Sequence, residues 1–260
     1  MSSSAMELIT DASEFDVTKL SYGGIRVNSR GGKSIKILDA RKNTLVLQTP
    51  LILTYGIQKM VDETSGRVTY TMALQFPGDE YANDAMRNLR EQMAALEDKI
   101  LDDAVTNSKD WFNKSGQPRA VAEALFYPIL KYPKNKDTGE LDHTRSPTLK
   151  VKIPYWEGKF NVELYGMDEE PIYLPSHDVD EDAFPNFIPK MSHVIAGVQC
   201  NGLWFAGGRF GVTWQLVQAV VRRPVRISGG CHLRISDGDR KAVATINAKE
   251  EEQGEPDEGV

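Results

Sequence analysis

The sequence predicts a mainly β fold of the α+β class, an antiparallel β core that carries one long helix. Three observations predict it. Val68–Phe76 and Leu149–Tyr155 alternate apolar and polar residues, the period-2 pattern of half-buried strands. Only residues 82–106 change to a helical period, with Ala85, Leu89, Met93, Leu96, Ile100 and Ala104 on one face. Between His193 and Arg223, two runs rich in valine, isoleucine, threonine and tryptophan flank a segment dense in glycine and aromatic residues.

Taken in order, residues 1–20 open with Ser2-Ser3-Ser4, keep no sustained period and are read as a flexible arm. Tyr22–Ser34 is a glycine-softened basic loop containing Arg26, Arg30 and Lys33, with Lys36 just beyond. Its Gly32-Lys33-Ser34 ending is not a phosphate loop: that motif needs a glycine where this chain has Val27, and strand rather than helix follows. Leu45–Ile57 is a strand broken near Pro50, since proline has no ladder donor. Asp62–Gly66 turns the chain into Val68–Phe76, which makes a hairpin. The helix over 82–106 has Asp79 or Asn83 as its cap, and Pro118–Phe126 forms a shorter second helix.

Lys131–Pro147 is polar and proline-containing, hence a loop. Next, Leu149, Val151, Ile153 and Tyr155 take an inner strand face, while Lys150, Lys152 and Trp156 share the outer one. Glu157-Gly158 turns back into Lys159–Tyr165. Gly166–Ser192 is long and acidic; Asp178, Asp180 and Asp182 could bind a metal through carboxylates, but a solvated loop is the simpler reading. From His193 the pattern is strand, Asn201-Gly202 turn, Leu203–Phe205 strand, Gly207-Gly208 turn, then a long strand with Val212, Trp214, Leu216 and Val220 on one face. Trp214 therefore belongs to the core. Trp204 and Phe205 point oppositely, so one of the two is buried, and the sequence does not choose. Arg226–Ile246 adds a terminal strand before an acidic tail.

The segment WFAGGRFGVTWQLVQAVVRRP, Trp204–Pro224, resembles the C-terminal signature of the single-stranded-DNA-binding proteins of nucleocytoplasmic large DNA viruses. That family is similar in fold to the OB-fold helix-destabilising protein of tailed phages. Outside Gly202–Pro224 only the order of elements and the acidic tail agree. The resemblance implies an OB-fold-like antiparallel barrel over residues 21–248, with extended loops and a disordered acidic tail over 249–260. It also implies sequence-independent binding of single-stranded DNA in viral replication, recombination or repair, inside the infected host cell where viral DNA is copied. A non-enzymatic virion or scaffold protein on the same β core is the alternative, and a metal-dependent nuclease using the acidic loop is third.

The residues support binding without the resemblance, though an ordinary solvated strand face stays open for Lys150 and Lys152. A single strand presents phosphates and unstacked base faces, so its binder needs cations interleaved with flat rings. Lys150, Lys152 and Trp156, with Lys159 across the turn, meet that need, as do Trp204, Phe205, Arg209 and Phe210 around the glycine turn. Arg30 and Lys33 in the basic loop, and Arg222 and Arg223 at the strand end, complete the candidate set. No nucleophile elbow or paired zinc-ligand spacing occurs, so no catalytic residue, metal or cofactor is assigned. Cys200 and Cys231 make no disulfide framework, which points to a reducing, intracellular setting. No basic-then-apolar leader and no run of about 20 apolar residues is present, so no membrane association is expected. A homo-oligomer is allowed by the sequence but not specified by it.

The net charge of −6 at first argues against a nucleic-acid partner, but residues 249–260 carry −5 of it and leave −1 for residues 1–248. A tail of that charge can occupy a basic groove until DNA, with denser charge, displaces it. In the resembling phage family the tail also recruits replication proteins and ends in an aromatic residue, whereas this chain ends Gly259-Val260. That departure weighs against the recruiting role and leaves the electrostatic one. Deleting Lys249–Val260 should tighten binding to oligothymidine, most at low salt, and leave the melting temperature nearly unchanged. Unchanged or weaker binding across a salt series would rule out the electrostatic role.

Overall fold

A computed structural model describes residues 8–29, 31–225, 227 and 230–253, with only the backbone of 251–253. It divides into two units, 1–224 and 225–260. Seven strands carry the first: β1 (Ser21–Val27), β2 (Lys33–Leu38), β3 (Ile52–Val61), β4 (Val68–Gln75), β5 (Thr148–Ile153), β6 (Ser192–Ala206) and β7 (Arg209–Arg222). Its helices are α1 (Asp84–Thr106), α2 (Ser108–Phe112) and α3 (Arg119–Leu125). Among the described residues, these strands and several shorter ones form one 13-stranded, mainly antiparallel sheet.

Five strands pair in a closed circuit. β3 pairs with β4, β4 with β5, β5 with β7, β7 with β6, and β6 returns to β3. Only the β5–β7 contact in that ring is parallel. The alternation read from the sequence fills its interior: Tyr70, Met72 and Leu74 from β4 and Leu149, Val151 and Ile153 from β5 are all buried. Trp214 joins them at 2% exposure, beside Val151 on the neighbouring strand. Helix α1 adds its apolar face, with Leu89, Met93, Leu96, Ile100 and Ala104 buried. Asn83 is its cap, accepting from the Met86 amide at 2.9 Å, while Asp79 pairs with Arg90 instead. Among the described residues no helix is long and apolar enough to cross a membrane.

Several expectations are corrected. The second half of the expected arm is anchored: Thr10–Asp11 pairs with Leu47–Gln48, and Ala12 and Phe15 are buried; residues 1–7 lie outside the described residues. Asn201-Gly202 is not a turn. β6 runs through it, slipping register between Cys200 and Leu203, with Gly202 at φ 89°. A second slip, between Gly197 and Val198, opposes Leu216 and Gln218 and skips Val217, so Val220 leaves the core face and Ala219 and Val221 are buried instead. A bulge reverses the facing of everything after it. Helix α2 was missed because five residues are too short to show a period; Asn113 ends it in the left-handed region at φ 57°.

The expected terminal strand over Arg226–Ile246 gives way to a helix, α4 (Asp237–Gln253), in the second unit. Ser236 and Asp239 cap it reciprocally: the Ser236 amide donates to the Asp239 carboxylate at 2.9 Å, and the Asp239 amide donates to Ser236 Oγ at 3.1 Å. The first five residues of the expected disordered tail, Lys249–Gln253, are therefore helical; residues 254–260 lie outside the described residues.

Trp214→Ala empties the centre of the ring and should lower stability by about 3–5 kcal/mol, as core aromatic truncations do. Chemical denaturation checks this, and a loss below about 1 kcal/mol would place the indole outside the core.

Candidate nucleic-acid interface

Register decides which side chains share the outside of the ring. Trp204 on β6 lies opposite Gly211 on β7, and Gly211 lies beside Tyr127 of the short strand Phe126–Tyr127. Two rings therefore flank one glycine. A side chain there would collide, since a Cβ on Gly211 would sit 2.9 Å from Tyr127 Cβ and 3.0 Å from Trp204 Cζ2. With glycine between them, the rings stand 6.2 Å apart at 55°. The next rung outward is Gln199, Gln215, Lys152 and Thr71, one from each of four adjacent strands.

The result is a shallow groove walled by Tyr127, Lys131, Lys150, Lys152, Trp204 and Thr213. It runs into a second depression through the shared Lys152 and Thr213, where Arg67, Trp156, Asn201 and Gln215 take over. Trp156 is 71% exposed at the tip of the hairpin Tyr155–Trp156/Lys159–Phe160. Its neighbour Tyr155 is anchored, donating to Glu181 at 2.5 Å. Asn201 donates to Gln215 at 2.8 Å and accepts from Gln199 at 2.9 Å, a polar floor between the two aromatic stations.

Lys131 and Lys152 are held where burial disfavours their charge. Loss of water drives Lys131 down to about 8, with nearby Lys150 adding to the drop and Glu97 opposing it. Its Nζ lies 3.0 Å from the centre of the Tyr127 ring, a cation–π contact. Burial likewise lowers Lys152, and the charges of Arg67 and Lys150 lower it further. Behind Lys131, the Glu97 carboxyl is raised by burial although it accepts from the Ile129 amide at 2.8 Å. Such a strip can accept anionic oxygens while presenting flat rings to stacking partners.

The predicted site residues divide. Lys150, Lys152, Trp156 and Trp204 come together in the strip, and Lys159 lies exposed opposite Trp156 in the hairpin. Phe210 is fully buried, stacked on Phe205 and edge-on to Phe112 and Phe126, so it is core rather than contact. Trp204 and Phe205 are both half-buried, where one was expected inside. Lys33 is spent locally: its Nζ donates to the Asp110 carbonyl and, at 2.8 Å, to that of Trp111. Arg209 borders a separate cavity with Phe205. Arg222 and Arg223 lie at the other end of β7, roughly 40 Å along an extended strand, and Arg223 donates to the Phe187 carbonyl at 3.3 Å. Arg30 lies outside the described residues.

Sequence reading missed Arg67, Tyr127 and Lys131. Tyr127 and Lys131 fall in or beside strands of two residues, too short for any alternation to register. The acidic loop is also corrected: Glu181 and Asp182 bind Lys59, Glu181 also accepts from Tyr70, and Phe184 and Ile188 are buried. Among the described residues no cluster of histidine, cysteine or carboxylate groups is arranged to hold a metal.

The environment of Lys131 sets a sign that NMR of labelled lysine can read. One ammonium should titrate near pH 8. Lys150→Ala should raise that midpoint by removing a like charge, and Glu97→Gln should lower it by removing the opposing carboxylate. A midpoint in the ordinary lysine range near 10.4 would mean that Lys131 is fully hydrated.

A scan against known protein families finds no match, and no curated protein matches the sequence. Among solved structures, the chain is similar to the single-stranded DNA-binding protein from bacteriophage Enc34 in complex with single-stranded DNA. That similarity has a TM-score of 0.41 at 10% identity, over 79% of this chain and 97% of the phage protein. It is also similar to gp2.5, a single-stranded DNA-binding protein encoded by bacteriophage T7, with a TM-score of 0.41 at 9% identity over 83% and 97% of the two chains.

Proposed function

We propose that the chain binds single-stranded DNA without sequence preference, through the outer strip of what we read as an OB-like barrel. One observation carries the reading: Tyr127, Trp204 and Trp156 are interleaved with Arg67, Lys131, Lys150 and Lys152 on one continuous surface. Phosphates would lie against the four cations and bases against the three rings. The ring of strands supports the barrel, since its order and its lone parallel contact make a closed five-stranded path of the kind that binds oligonucleotides on its face. A base face is available only where bases are unpaired, so rings on a shallow groove favour a single strand over duplex. The Trp204–Pro224 segment supports a viral protein acting in replication, recombination or repair at the place of viral DNA synthesis.

Gel-shift and fluorescence titrations with oligothymidine test this directly. Four phosphate contacts on a single strand imply a log–log salt slope of about −3. Trp204→Ala or Trp156→Ala should cost about 1–3 kcal/mol of binding, with circular dichroism confirming the fold. Equal affinity for duplex, or a double variant that is folded and binds as well as the parent, would falsify the proposal and favour a scaffold role.

A further inference from the structure

A second cavity, of about 360 Å³, lies behind the strip and shares no lining residue with it. Trp204 and Phe205 are consecutive on β6 and point to opposite faces, so the strand that gives Trp204 to the groove gives Phe205 to this cavity. Phe112 and Phe205 wall it, with ring centres 5.6 Å apart and planes at 70°. Lys114 and Arg209 stand exposed at its mouth. Gln117 lines it at 7% exposure, and its Nε2 has no hydrogen-bond partner among the described residues. Only the glycine tip Gly207-Gly208 caps β6 and β7 between the two faces, at φ 57° and 73°, with open space where side chains would be.

We propose that this cavity takes one nucleobase of the strand bound in the groove, its phosphate held by Lys114 and Arg209. The inference rests on the single-strand reading and adds to it a station on the opposite face. A buried amide donor without an acceptor is costly and is kept where a ligand supplies one. Every nucleobase carries ring nitrogens or carbonyl oxygens on its edge that can accept from Gln117, and a π face for Phe205 or Phe112. Because each base offers such an acceptor, the contact adds affinity without choosing a sequence. The mouth supplies two cations of the kind that phosphate requires, and neither has an ion-pair partner among the described residues. The side-chain-free tip lets a strand pass from one face to the other.

Two oligothymidines separate this station from the groove, one of about 5 nucleotides and one of about 16, spanning the range a single OB unit covers. Lys114→Ala/Arg209→Ala should bind the long strand about tenfold more weakly and the short one as the parent does. Gln117→Leu removes the unpartnered amide without changing charge. It should show the same length-dependent loss with a melting temperature unchanged or raised, which a purely structural glutamine would not. A photoreactive 4-thiothymidine moved along the long strand should crosslink, at one position, to Trp111–Gln117 or Phe205–Arg209. Both variants matching the parent on the long strand, or losing equally on both lengths, would overturn the inference alone. A parent protein that binds neither length overturns it together with the single-strand reading.

Discussion

The bend in β6 at Gly202 is the constraint on which the architecture depends. This one strand pairs with β3 at its start, with Val46–Gln48 in its middle, with β2 at its end, and with β7 along its other edge. A straight strand cannot reach all four. The ladder slips between Cys200 and Leu203, where Gly202 adopts φ 89° and the Ile35 carbonyl takes the place a side chain would need. Any Cβ would strike that backbone, and a positive φ would strain it besides. The slip lets β6 close the ring at one end and carry the β1–β2 hairpin at the other. It also sets the facing of Trp204 and Phe205, and so the position of both cavities.

A chain of net charge −6 carries this basic strip while several of its acids are engaged elsewhere. On the helical side Arg119 gathers Asp98, Asp102 and Glu123. On the loop side Lys59 takes Glu181 and Asp182. Along the strip, Glu157 stands beside Trp156, and Glu97 lies part-buried behind Lys131. Loss of water lowers Lys131 and Lys152, and the charges of their cationic neighbours lower them further.

The segment between the short hairpin and β6 is structural as well as acidic. Phe184 stacks on Phe160 with ring centres 3.6 Å apart and planes at 7°, and Tyr173 packs edge-on against Phe184. Tyr70 and Tyr155 both donate to Glu181, whose carboxyl these bonds and Lys59 hold down to about 2. The anchor fixes Tyr155, and with it the hairpin that lifts Trp156 clear of the surface. A loop carboxylate thus ties the exposed hairpin to the buried Tyr70 through the Tyr155 next to Trp156.

Local periodicity by itself determined the β class, the long helix α1, the buried faces of β4, β5 and α1, and the outward Lys150, Lys152 and Trp156. Each is a statement about one segment and its own two faces, and alternation or a 3.6-residue repeat encodes nothing more. The tertiary structure decided what that repeat cannot carry. It turned an Asn-Gly turn into a bulge, moved Val220 off the core face through one skipped residue, took Phe210 into the core and tied the Lys33 ammonium to backbone carbonyls. It also brought Tyr127 and Lys131, from strands of two residues, beside Trp204. The reason is that hydrogen-bond register between distant strands selects neighbours, and a slip of one residue exchanges inside for outside.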